Sequence, residues 1–519
     1  MRGGVSEELL SQLSAFVADK MGLHFPRERR RDLERGVNAL SRELGFEDSE
    51  SYIDWLLSSS GTRSQIELLA SHLTVGETYF FRDKKVFEAL EELVLPKLIQ
   101  SRRESGKHLR IWSAGCATGE EPYSIAILLS KVIPDLRNWN ITILATDINP
   151  HFLRKAADGL YGNWSFRDPP PGIEEGFFKQ TGAGRFEILS RIKELVTFSY
   201  LNLVEDTYPS LLNNTNAMDI IFCRNVLMYF LPERARKAIR NLHRSLVDGG
   251  CLVVSPSESS HLLFSQFATV RSAGAILYRK AVPSPPPAGT FFCKPHEKPA
   301  RPSTPAVGLV PDHGATPVPV SANIRLTSQK KAPKAPLEAR NPKPETRPRF
   351  DLYREALALY EEGCYGEAAE KTEGLVSQNA SDAKGLSLLA RIYANLGRLE
   401  KALEWCEKAI AAEKLNPVSY YLMATIFLEL GRTKDAVLSL KRALYLDPNL
   451  ILAHMALGNI ARQRGKHKES VKHFENALLL LTTKRPEEIL PESEGMNAGR
   501  LMEIVQGLKD SYTSEQSVA

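Results

Sequence analysis

The stretch Leu109-Arg-Ile-Trp-Ser-Ala-Gly115-Cys-Ala-Thr-Gly119-Glu-Glu-Pro122-Tyr-Ser-Ile-Ala-Ile-Leu-Leu129 decides how this 519-residue chain is read. Leu109 to Ala114 is a short, mostly apolar run of the kind that forms a buried strand, and the small residues after it make a turn. Pro122 suits the first turn of a helix, where its missing N–H costs nothing. Strand, glycine turn and helix in that order are half of a parallel crossover unit. Gly115 and Gly119 let a ligand approach the backbone closely.

The acidic pair Glu120 and Glu121 stands where a dinucleotide would place its pyrophosphate, and two carboxylates there repel phosphate. They suit a cation instead, such as the sulfonium and ammonium of S-adenosylmethionine. The next strand pattern, Ile141 to Asp147, ends in an acid placed either to hold ribose hydroxyls or to cap a helix at 150–157. Phe198 to Asp206 and Asp219 to Cys223 extend the sheet, and Arg224 and Asn225 lie just beyond the carboxyl end of the latter, where open α/β sheets bind ligands. Pro232 starts a helix, and Asp248 to Ser259 reads as a turn and a final strand. Residues 106–280 are therefore expected to form a doubly wound α/β domain.

Residues 1–105 read instead as helices. Leu9, Leu10, Leu13, Phe16 and Val17 have helical spacing, and further helical patterns cover 27–44, 50–58, 62–73 and 84–103. No apolar run approaches the ~20 residues of a membrane span, and acidic residues interrupt the start where a signal peptide would be apolar. The six cysteines are scattered without metal-ligand spacing, which fits a reduced cytoplasm, and no metal is expected.

The net charge of +5 is local. Residues 281–350 hold eleven Lys/Arg against four Asp/Glu, a balance of +7, which leaves about −2 for the rest; the charge does not argue for nucleic acid. The same segment holds sixteen of the thirty-one prolines, so 281–349 reads as a disordered, partly polyproline linker. Beyond it the sequence repeats every 34 residues: Ala356, Ala390, Ala424 and Gly458; Ala368, Ala402, Ala436 and Ser470; Leu375, Ala409, Ala443 and Ala477. Gly363, Gly397, Gly431 and Gly465 keep the same step, each placed to end a first helix, while Pro417 and Pro448 fall between repeats, where a helix must stop. This pattern, with Tyr393, Phe427 and Phe474, resembles the tetratricopeptide family over 350–481. Such solenoids present a surface for a protein partner, and the tail 482–519 holds a candidate capping helix at 497–509.

Taken together, the strings from Leu73-Thr-Val-Gly-Glu-Thr-Tyr-Phe-Phe-Arg-Asp83 through Ser113–Ser124, Thr146–Asn149, Asn202-Leu203, Ile221–Phe230 and Ser255–Ser259 resemble the chemotaxis-receptor (CheR-type) glutamate methyltransferases over about 10–280. The resemblance implies a helical receptor-docking domain, a methyltransferase core with a small antiparallel β-subdomain at about 177–200, S-adenosylmethionine as donor and S-adenosylhomocysteine as product. It assigns cofactor roles to Thr78, Arg82, Glu121, Asp147, Asn202, Leu203, Arg224 and Asn225, beside Gly115 of the turn; for the reaction itself, Arg82 is the candidate to position the carboxylate or the cofactor and Tyr229 the candidate hydrogen-bond donor, the two catalytic candidates. It also makes the basic helix carrying Arg27, Arg29, Arg30, Arg31 and Arg35 the docking face for acidic receptor helices. This chain has Gly76 where the family often has Asn, and Ser255-Pro256-Ser257-Glu258 in place of the usual Gly-His-Ser-Glu.

The implied chemistry moves a methyl group onto a carboxylate oxygen. A carboxylate is ionised at neutral pH and needs no base, consistent with a sequence that offers no His or Cys constellation. The expected activity is a cytoplasmic protein-glutamate O-methyltransferase acting on chemoreceptors, with no direct membrane insertion. Two alternatives fit the same residues: a regulatory scaffold without turnover, or a methyltransferase with another substrate.

Overall fold

The apolar run at 109–114 forms β1 (His108–Ala114), buried along its whole length inside a seven-stranded sheet. The computed structural model describes residues 5–59, 61–104, 106–260, 262–272, 275–282, 347–493 and 496–516; the expected linker lies outside them from 283 to 346. The strands that follow are β2 (Asn140–Asp147), β3 (Leu160–Gly162), β4 (Phe178–Thr181), β5 (Arg185–Ile188), β6 (Val196–Tyr200), β7 (Met218–Phe222), β8 (Leu246–Val253), β9 (Phe267–Ser272) and β10 (Ala275–Lys280). The sheet order is β6-β2-β1-β7-β8-β10-β9, parallel from β6 to β8, with β10 antiparallel to both of its neighbours. The chain runs outward from β1 through β2 to β6, then returns to lay β7 on the other side of β1. That reversal opens a crevice at the carboxyl ends of β1, β2 and β7, where doubly wound sheets bind ligands.

Three features depart from the sequence reading. The small sheet is β3-β5-β4, so it starts at Leu160 and ends at Ile188, and β6 belongs to the main sheet beside β2. The sheet continues past β8 through β9 and β10. The helical N-terminal core closes earlier than 105. Leu13, Val17, Leu33, Val37, Leu40, Tyr52, Ile53, Leu56, Ile66 and Leu69 pack together, but Phe80 to Ile99 pack against β1 and β7. Of the four helices in that small core, Glu7–Met21, Arg30–Glu43, Ser49–Ser58 and Arg63–Leu73, the first, third and fourth are capped by Ser6, Asp48 and Thr62.

In the repeats, eight helices from Arg347–Glu361 to His467–Thr482 pair as hairpins. Ala356, Ala390, Ala424, Ala368, Ala402 and Ala436 are wholly buried, as close helix approach requires. Gly363, Gly397, Gly431 and Gly465 take φ of +78°, +71°, +72° and +67°, ending the first helix of each pair in a left-handed turn that a side chain would strain. Pro417 opens a helix at its first position rather than stopping one. The helix Ala498–Gln516 covers the last repeat, setting Leu501 and Val505 against Phe474, Ala477 and Leu481. Among the described residues, no helix is long and apolar enough to cross a membrane.

Candidate active site

The crevice at the sheet reversal is a cleft lined by Gly115 and Ala117 after β1, Asp147 and Ile148 after β2, Leu201 to Leu203 after β6, and Asn225, Val226, Tyr229 and Phe230 after β7. The N-terminal helices close it with Met21, Leu23, Phe25, Arg29, Leu73 and Val75. Seven of the residues singled out from sequence meet here: Gly115, Asp147, Asn202, Leu203, Asn225 and Tyr229, and Arg29 from the basic helix. Gly115 has φ +82°, and a β-carbon on it would come within 2.3 Å of Val226, so the two loops touch at a place where only glycine fits.

Asp147 does not cap the following helix. Asn149 does so, accepting from the N–H groups of His151 and Phe152. Asp147 accepts from the N–H of Asn149 at 2.8 Å and of Ala117 at 2.9 Å, one bond per oxygen. A carboxylate has about four acceptor positions, so two remain for a ligand's hydroxyls. Burial pushes its carboxyl up to about 6, against the pull of the Asn149, Ala117 and Ile148 backbone N–H groups. Asn202 works differently: its side chain donates to the Lys20 carbonyl at 2.7 Å and accepts from the Val204 N–H at 3.0 Å. It ties the end of the first helix to the sheet, and its backbone is what it offers the cleft.

The acidic pair is not a bare negative patch. Glu120 accepts from Ser165 at 2.8 Å and Thr118 at 2.6 Å; Glu121 accepts from Ser113 at 2.7 Å and from Arg224 at 3.0 Å. The phosphate-repelling role expected of the pair is thus blunted, because Arg224 neutralises Glu121. Arg224, its side chain 2 % exposed, also pairs with Asp83 and donates to the Arg82 carbonyl at 2.9 Å. It belongs to the frame of the site and is absent from the cleft lining. Phe81 and Asp83 flank Arg82 with φ of +55° and +62°, a strained segment of the kind held at functional sites. The Arg82 guanidinium donates to the Glu77 carbonyl at 2.8 Å and lies over the Tyr79 ring. Thr78 and Arg82 sit in this segment, outside the cleft lining.

Sequence reasoning missed Glu258. Its carboxylate accepts from the N–H groups of Asn225 (2.7 Å), Val226 (2.8 Å), Met228 (3.1 Å) and Ser255 (3.1 Å), and from the Ser255 hydroxyl (2.5 Å). Asn225, at φ +57°, is bent into the cleft by this clamp. The altered Ser-Pro-Ser run before Glu258 leaves the clamp intact, and Ser255 joins it. At Gly76, a β-carbon would lie 2.5 Å from the Phe152 ring, so that ring fills the space an Asn side chain would need.

The five arginines expected to form one docking face divide. Arg30 pairs with Glu7 of the first helix and donates to Ser11, with its side chain 18 % exposed. Arg29 lines the cleft, its Cζ 5.5 Å from the centre of the Tyr229 ring. Arg27, Arg31 and Arg35 are exposed, Arg35 pairing with Asp32 at 2.9 Å.

The donor set fits S-adenosylmethionine: free acceptor positions on Asp147 for ribose hydroxyls, and apolar walls from Leu23, Phe25, Phe152, Leu201 and Phe230 for adenine. The family described as "CheR methyltransferase, SAM binding domain" matches residues 76–274, and tetratricopeptide repeats match 353–417, 417–450 and 453–488. The chain is 32% identical over 269 residues to a chemotaxis protein methyltransferase of Borreliella burgdorferi, covering 51% of this chain and 90% of that one. It is 31% identical to chemotaxis protein methyltransferase 2 of Vibrio cholerae (54% and 91% covered), and 36% identical to a probable chemotaxis protein methyltransferase of Rhizobium etli (42% and 80%). With the cleft at the sheet reversal and a repeat array appended, the chain belongs to the chemotaxis protein methyltransferases, which use S-adenosylmethionine as donor.

Proposed function

We propose that the chain methylates glutamate side chains of chemoreceptor-type signalling proteins in the cytoplasm, giving methyl esters, while the repeats recruit or regulate through a protein partner. The observation that carries the proposal is the charge of the cleft. Among its lining residues Asp147 is the one carboxylate and Arg29 the one guanidinium, so one group serves the donor's hydroxyls and the other an anionic acceptor. S-adenosylmethionine supplies an electrophilic methyl on a sulfonium. The acceptor carboxylate forms the new O–C bond as the C–S bond breaks, and no proton moves, so the protein needs to align and to exclude water rather than to act as a base. Arg29 over Tyr229 is placed to orient the carboxylate, and Tyr229 to donate a hydrogen bond to it. Arg82 sits in a segment whose backbone is over-determined by Arg224 and by Ser124, which accepts from the Phe81 N–H at 2.9 Å. We assign it the positioning of the reacting groups. Exposed Arg27, Arg31 and Arg35 are the part of the basic helix left for docking acidic helices.

The test incubates the full chain with labelled donor and receptor cytoplasmic fragments. Base-labile label on the receptors is expected, and Arg82→Ala is expected to lower kcat by about a hundredfold, the scale set by misplaced reacting groups. Label that survives base, or no transfer to any receptor, would overturn the glutamate assignment.

Asp147 gives a second, pH-resolved outcome. Its carboxyl, raised to about 6 by burial, accepts from hydroxyls more strongly and at more positions when ionised, so donor affinity is expected to climb as pH rises through 6 and then level off. Because burial disfavours the ionised form, the same group contributes less folding stability as pH rises from its unfolded value to 6. Asp147→Asn is expected to weaken donor binding by roughly ten- to a hundredfold, the loss of charge-assisted bonds, and to flatten the pH profile. Calorimetric titration from pH 5 to 8 measures both, and an unchanged profile in the variant would assign the titration elsewhere.

A further inference from the structure

The repeats touch the methyltransferase core at two separate places. One runs along the amino ends of the strands, away from the cleft: Asn140, the first residue of β2, donates to the Glu429 carbonyl at 2.7 Å, Asn216 donates to the Glu429 carboxylate at 2.9 Å, and Arg244, just before β8, donates to the Glu361 carbonyl. The other is beside the cleft. There Arg500, in the helix that covers the last repeat, donates to Asp206 Oδ1 at 2.5 Å and lies over the Tyr200 ring, 5.5 Å from its centre. Arg63 of the N-terminal helices stacks on the same ring at 4.1 Å. The second Asp206 oxygen accepts from the Asn202 N–H at 2.6 Å, and the Asp206 N–H returns a bond to the Asn202 carbonyl at 2.9 Å. Asn202 is a wall shared by the cleft and by a second, polar cavity lined by Arg63, Tyr200, Asp206 and Arg500.

We propose that Arg500 is a positioning residue for the donor site, holding the Asn202–Leu203 turn through Asp206 and so coupling the repeat array to donor binding. This rests on the reading that the turn lines the donor site. One carboxylate grips both the turn and the repeat helix, so displacement of one changes the geometry available to the other. The side chains of Arg500 and Asp206 are 22 % and 14 % exposed, partly shielded from water, where an ion pair fixes geometry better than a fully solvated one. The helix is anchored to the last repeat by Leu501 and Val505, so a partner that shifts that repeat shifts Arg500 with it. An array coupled only at the amino ends of the strands would leave the turn untouched.

The experiment measures S-adenosylmethionine dissociation constants and steady-state constants on the full chain. Arg500→Ala is expected to raise Kd and KM for the donor by about fivefold or more, the lower range of coupling between sites, with kcat at saturating donor unchanged. Arg500→Lys, which keeps the charge, is expected to recover part of the affinity. Asp206→Asn is expected to weaken binding as well, and the double variant to be no worse than the weaker single one, because both break one chain of contacts. Asn140→Ala loosens the remote contact and serves as the control, with donor affinity unchanged. The proposal is overturned if Arg500→Ala stays within twofold of the parent, if Asn140→Ala weakens binding as much, or if the Arg500 and Asp206 effects add. Asp147→Asn separates the two readings: if it too leaves donor affinity unchanged, the donor site itself is misplaced.

Discussion

Arg224→Met is expected to destabilise the methyltransferase half by about 3 kcal/mol and to lower kcat at least a hundredfold. The guanidinium bridges Glu121, Asp83 and the Arg82 carbonyl from a position almost closed to water. Asp83, with its side chain 36 % exposed, can be taken up by solvent when the partner is lost, but Glu121, 12 % exposed, cannot. Its charge would be left with the Ser113 hydroxyl as its hydrogen-bond donor, which is why removing one partner of a buried pair costs far more than the pair contributes. Neutralising the orphan tests that account: adding Glu121→Gln to Arg224→Met is expected to restore about half the lost stability, read from the shift of the first thermal transition. Activity is not expected to return, because the Arg82 segment, strained at Phe81 and Asp83, would still lack the donor that holds its carbonyl. A double variant less stable than Arg224→Met alone would sink the electrostatic explanation.

That network marks the boundary of what could be read from the sequence. The crossover at Leu109–Leu129 was legible because strand period, glycine turn and helix period follow one another locally. The repeats were legible because identical positions recur, so small residues and left-handed glycines are counted four times over. Gly115, Asp147 and Asn225 could be placed at strand ends from topology, since open sheets bind there, whereas Asn202 and Leu203 came from the family resemblance. What could not be read is where charges find partners: Arg30 meets Glu7 across two helices, and Glu121 meets Arg224 across more than a hundred residues. A helical projection shows Arg30 as surface charge, and the strand pattern sets Arg224 at a strand end without showing which acid it meets. Phe198 onward was rightly read as part of the main sheet, but the bound of the small subdomain, drawn at about 200, cut across β6, because the helix before it, Ser190–Lys193, is too short to show a helical period. The last two strands were missed because no crossover helix announces them, although Gly274 falls between them in the sequence.

Glu258 is where one unread residue carries the most weight, and Glu258→Gln is expected to cut donor affinity and kcat each by at least tenfold. All five groups facing the carboxylate are donors, two on Oε1 and three on Oε2. An amide is nearly isosteric, but it turns an N–H₂ toward at least two donors whichever way it sits, so at least two bonds are lost and two donors are left facing another donor. Unsatisfied buried donors cost about 1–3 kcal/mol each, and Asn225, held in a left-handed conformation, supplies further strain that relaxes once the clamp opens. The loop carrying Asn225, Val226 and Tyr229 should therefore loosen while the sheet stays folded, since β7 and β8 pair without it. Hydrogen exchange should rise at 225–230 and remain unchanged in β1 and β2. Exchange raised evenly across the sheet would mean that Glu258 supports the fold as a whole, and unchanged exchange at 225–230 would show that the clamp does not hold the loop.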